Sequence, residues 1–196
     1  MPTRAESPAY QLSNIDHEDD GVSLARAALD EAGPDAPAKA RALYLDRVAW
    51  AHAKTGDAQP AMRALAEAHE AMTSEDSQES PEWAYWVSPE ELDVMDARVY
   101  TELRKPLRAV PLLQEVLSRY DSTHTRELAL YLSWLAVALV DANEPEEAAA
   151  TARRMLDLSA DFASDRTAQR NRVVLTKVEP YGDVPEVREV LNTYAA

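Results

Sequence analysis

The chain has no cysteine among its 196 residues. Disulfides, thiolate metal sites and cysteine nucleophiles are thereby excluded, and nothing calls for an oxidising compartment. Glycine is nearly as scarce, four residues or about 2%, against roughly 7% in ordinary globular proteins. A sheet-rich fold needs more tight turns than four glycines support. Long apolar runs are missing too. The longest, 128–140, is broken only by Ser133 and falls short of the roughly 20 residues that span a bilayer. The opening MPTRAESPAY has no apolar core of the signal-peptide kind. Basic charge is in deficit, with 20 Lys and Arg against 35 Asp and Glu and a net charge of −15. Phosphate backbones and anionic membranes repel such a chain unless a local basic patch intervenes. These absences leave a soluble, cytoplasmic, all-helical protein as the expectation.

What is abundant is alanine, 35 residues of 196, the strongest helix former. Residues 1–20 mix Pro, Ser, Asn and Asp with little periodicity and read as a flexible lead-in. Residues 21–196 read as one domain. Val22, Leu24, Ala25, Ala28 and Leu29 mark one face of a helix stopped by Gly33 and Pro34. A helix over 38–54 ends at Thr55 and Gly56, and Asp57 is placed to cap the next, which runs to about Met72. Ser88, Pro89 and Glu91 spell a capping box that opens a helix to about Leu103. Further helices are expected over about 106–120, 126–142, 145–158, 165–178 and 184–194, the last with Asp183 and Glu186 as a second capping box. Between them, residues 73–89 form an acidic aromatic insertion. Over 73–93 there are seven acids, no base, and Trp83, Tyr85 and Trp86 close together. The aromatics suggest that the second half of this stretch docks on the body or waits for a partner.

The helical hairpins repeat. Their tight turns, KTGDAQPA, ELRKPLRA and DANEPEEA, close on Ala61, Ala109 and Ala148. The intervals are 48 and 39 residues, and the longer contains the insertion. Periods of this size indicate stacked helical pairs, none able to bury its apolar face alone. With a motif start at Ala42, Glu90 and Ala129, small residues recur at Ala49, Ala97 and Ala136 and again at Ala61, Ala109 and Ala148. In this pattern the chain resembles the tetratricopeptide repeat family. The departures are Asp96 where leucine is usual, Met155 and Val116 in place of the third small residue, and a turn glycine kept only at Gly56. A narrower resemblance lies in WVSPEELDVMDARVYTELRKPLRAVPLL, YLSWLAVALVDANEPEEAAATARRMLDLS and EPYGDVPEVREVL. These are similar to the C-terminal repeat region of actinobacterial helix-turn-helix regulators of the Cro/repressor type, whose DNA-binding domain has no counterpart in this sequence. The resemblance implies an all-α, right-handed solenoid of antiparallel helix pairs, closed by capping helices over 164–196, in a transcription-associated setting.

Catalytic and metal-binding signatures are not found. His17, His52, His69 and His124 are scattered, with no Glu-x-x-His or His-x-x-x-His pair, and His52 reads as a hydrogen-bonded core residue. No Gly-x-Ser-x-Gly elbow or phosphate-cradling glycine loop occurs. No catalytic residue, metal ligand or cofactor is therefore assigned, and the chain reads as non-enzymatic. Binding is the better prospect. The concave positions that the resemblance implies include Asp46, Trp50 and Lys54, then Val94, Arg98 and Glu102, then Ser133 and Val137. Such a groove, part apolar and part charged, suits a peptide, a small effector or a protein partner. Trp50 and Trp134 fit either the groove or an ordinary core. Arg166, Arg170, Arg172 and Lys177 form a basic cluster, but no aromatic is interleaved for base stacking. Salt bridges or a solvated face explain it better than nucleic acid. The alternative reading is a structural module in which the insertion or the terminal helices join two copies into a homodimer.

Overall fold

The computed structural model describes residues 18–74, 79–119, 125–160 and 165–194. Among them there is no strand. The helices are α1 (Glu18–Ala32), α2 (Ala38–Lys54), α3 (Ala58–Thr73), the 3-10 turn η1 (Glu82–Ala84), α4 (Pro89–Glu102), α5 (Pro106–Arg119), α6 (Thr125–Asp141), α7 (Pro145–Ser159), α8 (Asp165–Val178), the 3-10 turn η2 (Glu179–Tyr181) and α9 (Pro185–Tyr194). The expected helices are all present, with boundaries within a few residues. The largest difference is at α1, which takes in the last three residues of the expected lead-in. Glu18, Asp19 and Asp20 begin this helix, where acids are favoured by its dipole. The rest of that lead-in, 1–17, lies outside the described residues, as do 75–78 of the insertion.

The chain divides into two compact units, Met1–Leu103 and Arg104–Ala196. In the first, α2 packs against α1, α3 and α4, and α3 also touches α4. Ala42, Leu45, Ala68, Ala71, Leu92 and Met95 form its core, with Leu29, Leu43, Met72 and Trp86 packed around them. In the second, α6 packs against α5, α7 and α8, and α7 receives α9. This explains the apolar run of α6, broken only by Ser133, because every residue from Tyr131 to Val140 is buried. No helix among the described residues is long and apolar enough to cross a membrane.

Local chemistry accounts for the ends. Ser88 caps α4 by accepting from the Glu91 amide at 3.2 Å, with Pro89 at the first helical position. Gly33 and Gly56 stop α1 and α2 with φ of +74° and +79°. Asp57 does not cap α3. Its carboxylate instead accepts from the Thr55 hydroxyl at 3.1 Å and lies 3.4 Å from Nδ1 of His52, which takes it away from the amides it would need to reach.

The backbone repeats where the sequence varies. Gly56, Arg104 and Asn143 occupy the same place in the three tight turns, 48 and 39 residues apart, and all three have positive φ, 79°, 51° and 62°. The alanines recur likewise: Ala49, Ala61, Ala97, Ala109, Ala136 and Ala148 are all fully buried. Conformation and burial therefore preserve a period that only one turn marks with glycine. Left-handed backbone strains a non-glycine residue by ~1–2 kcal/mol. Arg104→Gly should therefore stabilise the chain by about 0.5–1 kcal/mol, after the extra freedom of glycine in the unfolded state is offset. Asn143→Gly should be near neutral, since asparagine tolerates this region. Urea denaturation of the two variants checks the difference.

The insertion docks through its second half. Ala84 and Val87 are fully buried, Trp86 packs on the first unit's core, and Lys39 Nζ donates to the Tyr85 carbonyl at 3.4 Å. Trp83 lies against Tyr44, ring centroids 6.2 Å apart and tilted by 60°.

Candidate functional site

Four-residue spacing places Asp46, Trp50 and Lys54 in one row along α2, and Val94, Arg98 and Glu102 in one row along α4. The two rows meet. The Arg98 guanidinium stands 4.8 Å from the centre of the Trp50 ring, and Lys54 Nζ donates to Glu102 Oε1 at 3.0 Å. Each pair is separated by 48 residues, the interval between Ala61 and Ala109, so α2 and α4 run parallel and in register. Trp50 is only 4% exposed and Val94 is buried, so the floor of this face is apolar and packed. Arg98, Lys54 and Glu102 are half-buried at its edge.

Asp46 lies deepest. Burial pushes its carboxyl above the ordinary range, while Arg47, 3.3 Å away, and Arg98 pull it back down. A second, partly buried acid is influenced by it. Asp96 on α4 accepts from Nε2 of His69 on α3 at 3.1 Å. Its carboxyl is pushed up to about 6, first by burial and then by Asp46 and Asp93, against the opposing pull of His69. Asp96 was legible as an oddity, an acid in a leucine position. His69 carried no signal, because its role depends on the contact between α3 and α4. His52 is buried as expected. Its Nε2 lies 3.1 Å from the Arg26 guanidinium, so Nε2 accepts and the protonated Nδ1 faces Asp57.

In the second unit Ser133 and Val137, expected to line the groove, are both buried. Arg170 on α8 donates from Nε to Ser133 Oγ at 3.0 Å and from a terminal nitrogen to the Ser133 carbonyl at 3.4 Å. Its guanidinium stacks on Trp134, 3.9 Å from the ring centre, and Lys177 reaches Asp141 Oδ1 at 3.5 Å. Trp134 is therefore part of the packed interior between α6 and α8. The partners advance together along both helices, so α8 lies parallel to α6 as α4 lies parallel to α2. Two members of the basic cluster, Arg170 and Lys177, thus serve the packing of α8. Arg172 is exposed and donates to the Ala168 carbonyl, and the Arg166 side chain lies outside the described residues. Arg170→Ala should destabilise the second unit by about 2 kcal/mol, through two charge-assisted hydrogen bonds and the ring contact. Arg170→Lys should recover less than half of this, since an ammonium cannot stack and fork together. Denaturant titration of the two variants measures it.

Among the described residues no three His, Asp or Glu side chains group as a metal site would require. No family model, curated protein or solved structure matches this chain.

Proposed function

We propose that the chain is a helical-repeat binding module of the tetratricopeptide kind, a non-enzymatic protein that recognises a peptide or protein partner on the face shared by α2 and α4. One observation carries this reading: Lys54, Arg98 and Glu102 stand half-buried around an apolar floor containing Trp50 and Val94. A fixed apolar floor with charged groups at its rim is the usual composition of a peptide-anchoring surface. The intramolecular pair of Lys54 and Glu102 supplies both signs of charge, and a ligand carboxylate or ammonium can exchange with either. The parallel register of α2 and α4, the fully buried alanines and the three left-handed turns support the repeat assignment. The regulatory setting rests on the resemblance to the repeat region of helix-turn-helix regulators, with the DNA-contacting part supplied by another domain or protein.

Selection of a displayed random-peptide library on the purified chain tests the proposal. Peptides that bind should lose affinity about tenfold or more in Arg98→Ala and several-fold in Lys54→Ala, with helicity checked by circular dichroism. Unchanged affinity in both variants would remove the α2–α4 face from consideration.

A further inference from the structure

A different surface, on the insertion, has the makings of a second site. Trp83 and Tyr85 are 51% and 70% exposed. Exposure of two large aromatics within three residues is unusual in a soluble domain and marks interaction surfaces more often than chance. The segment that carries them is anchored. Between and after them Ala84 and Val87 are fully buried, and Lys39 holds the Tyr85 carbonyl. The Tyr44 ring packs against the Trp83 ring. The rings are thus presented on fixed backbone, which lowers the ordering cost of binding.

The surroundings select the occupant. Glu79 and Glu82 are exposed and stand within four residues of Trp83 in the chain, and the stretch 73–93 has seven acids and no base within a chain of net charge −15. Aromatic faces carry a negative quadrupole that attracts guanidinium and ammonium groups, and neighbouring carboxylates complete the recognition of a cation. Guanidinium also stacks flat on a ring, which ammonium cannot do. The same molecule already places a guanidinium over a tryptophan ring twice internally, Arg98 over Trp50 and Arg170 over Trp134. We infer that Trp83 and Tyr85, with Glu79 and Glu82, form a docking surface for an arginine-bearing basic segment of a partner protein. This surface is separate from the α2–α4 face and stands whether or not that face binds a ligand.

The test uses the full chain and fluorescein-labelled peptides in which glycine alternates with arginine, lysine or glutamine, read by fluorescence anisotropy. The arginine peptide should bind most tightly, the lysine peptide less, and the glutamine peptide not measurably. The double variant Trp83→Ala/Tyr85→Ala should weaken arginine-peptide binding about tenfold, while the thermal transition shifts little, because Tyr85 is largely exposed and Trp83 gives up only its ring contact with Tyr44. Glu79→Gln/Glu82→Gln should weaken it several-fold, and Glu146→Gln/Glu147→Gln, an equal charge change on α7, should not. Equal binding by the aromatic double variant would reduce the effect to bulk attraction by an acidic protein and overturn the inference. Equal binding of the glutamine peptide, or no binding of the arginine peptide, would overturn it as well. So would sedimentation showing a dimer that the aromatic double variant dissociates, since a second copy would then be the occupant.

Discussion

Ala61→Leu should destabilise the chain by about 1–3 kcal/mol, whereas Ala66→Leu on the same helix should shift stability by less than about 0.5 kcal/mol. The substitution is identical and helix propensity hardly differs between the two sites, so only the surroundings separate them. Ala61 is fully buried where α3 crosses its neighbour, and Ala66 is exposed. Leucine at 61 adds three carbons to a space that α2 and α3 have closed. Chemical denaturation of the two variants side by side gives the difference directly. Near-equal values would mean that the alanines mark helix propensity alone, and the repeat period would lose its physical basis.

Asp96→Asn should stabilise the chain at pH 7.5 and lose about half of that advantage by pH 5. The Asp96 carboxyl is raised from 3.8 to about 6, so the folded state holds its proton more tightly than the unfolded state does. For a carboxyl shifted upward, native stability rises as pH falls through about 6 and levels off below about 4. At ~1.4 kcal/mol per pH unit the span is a ceiling of about 3 kcal/mol. Asparagine is neutral throughout and keeps an oxygen to accept from His69. It also removes the repulsion that Asp96 shares with Asp46 on α2 and Asp93 on α4. Thermal unfolding of both proteins from pH 7.5 to 5 checks the prediction. A variant less stable than the parent at pH 7.5 would show that the ionised pair with His69 outweighs the burial of Asp96.

Much of the fold was legible because its punctuation is local. Ser88, Pro89 and Glu91 act within one helical turn, and Gly33 and Gly56 need only their own dihedral freedom. The alanine period survived the insertion because close helix crossings tolerate few other residues. Legibility failed where a side chain had a competing partner. Asp57 has the chemistry of a cap, yet Thr55 and His52 engage it first. Arg104 and Asn143 concealed two left-handed turns, since nothing in an arginine announces positive φ. The candidate site shows the same limit. Spacing put Asp46, Trp50 and Lys54 in one row and Val94, Arg98 and Glu102 in another, and the structure brings those rows together. Depth was not readable, because burial of Trp50 depends on Arg98 above it, 48 residues away in sequence. Ser133 is similar: it is enclosed by Arg170, which reads on its own as part of a surface cluster.

Amide hydrogen exchange on the chain, with and without a peptide selected from the displayed library, is the most direct test of the α2–α4 face. A ligand seated there should slow exchange over residues 46–54 and 94–102 and in their side-chain neighbours, leaving 79–88 and the helices of the second unit unchanged. Protection confined to any other segment, with 46–54 and 94–102 exchanging as in the free chain, would contradict it.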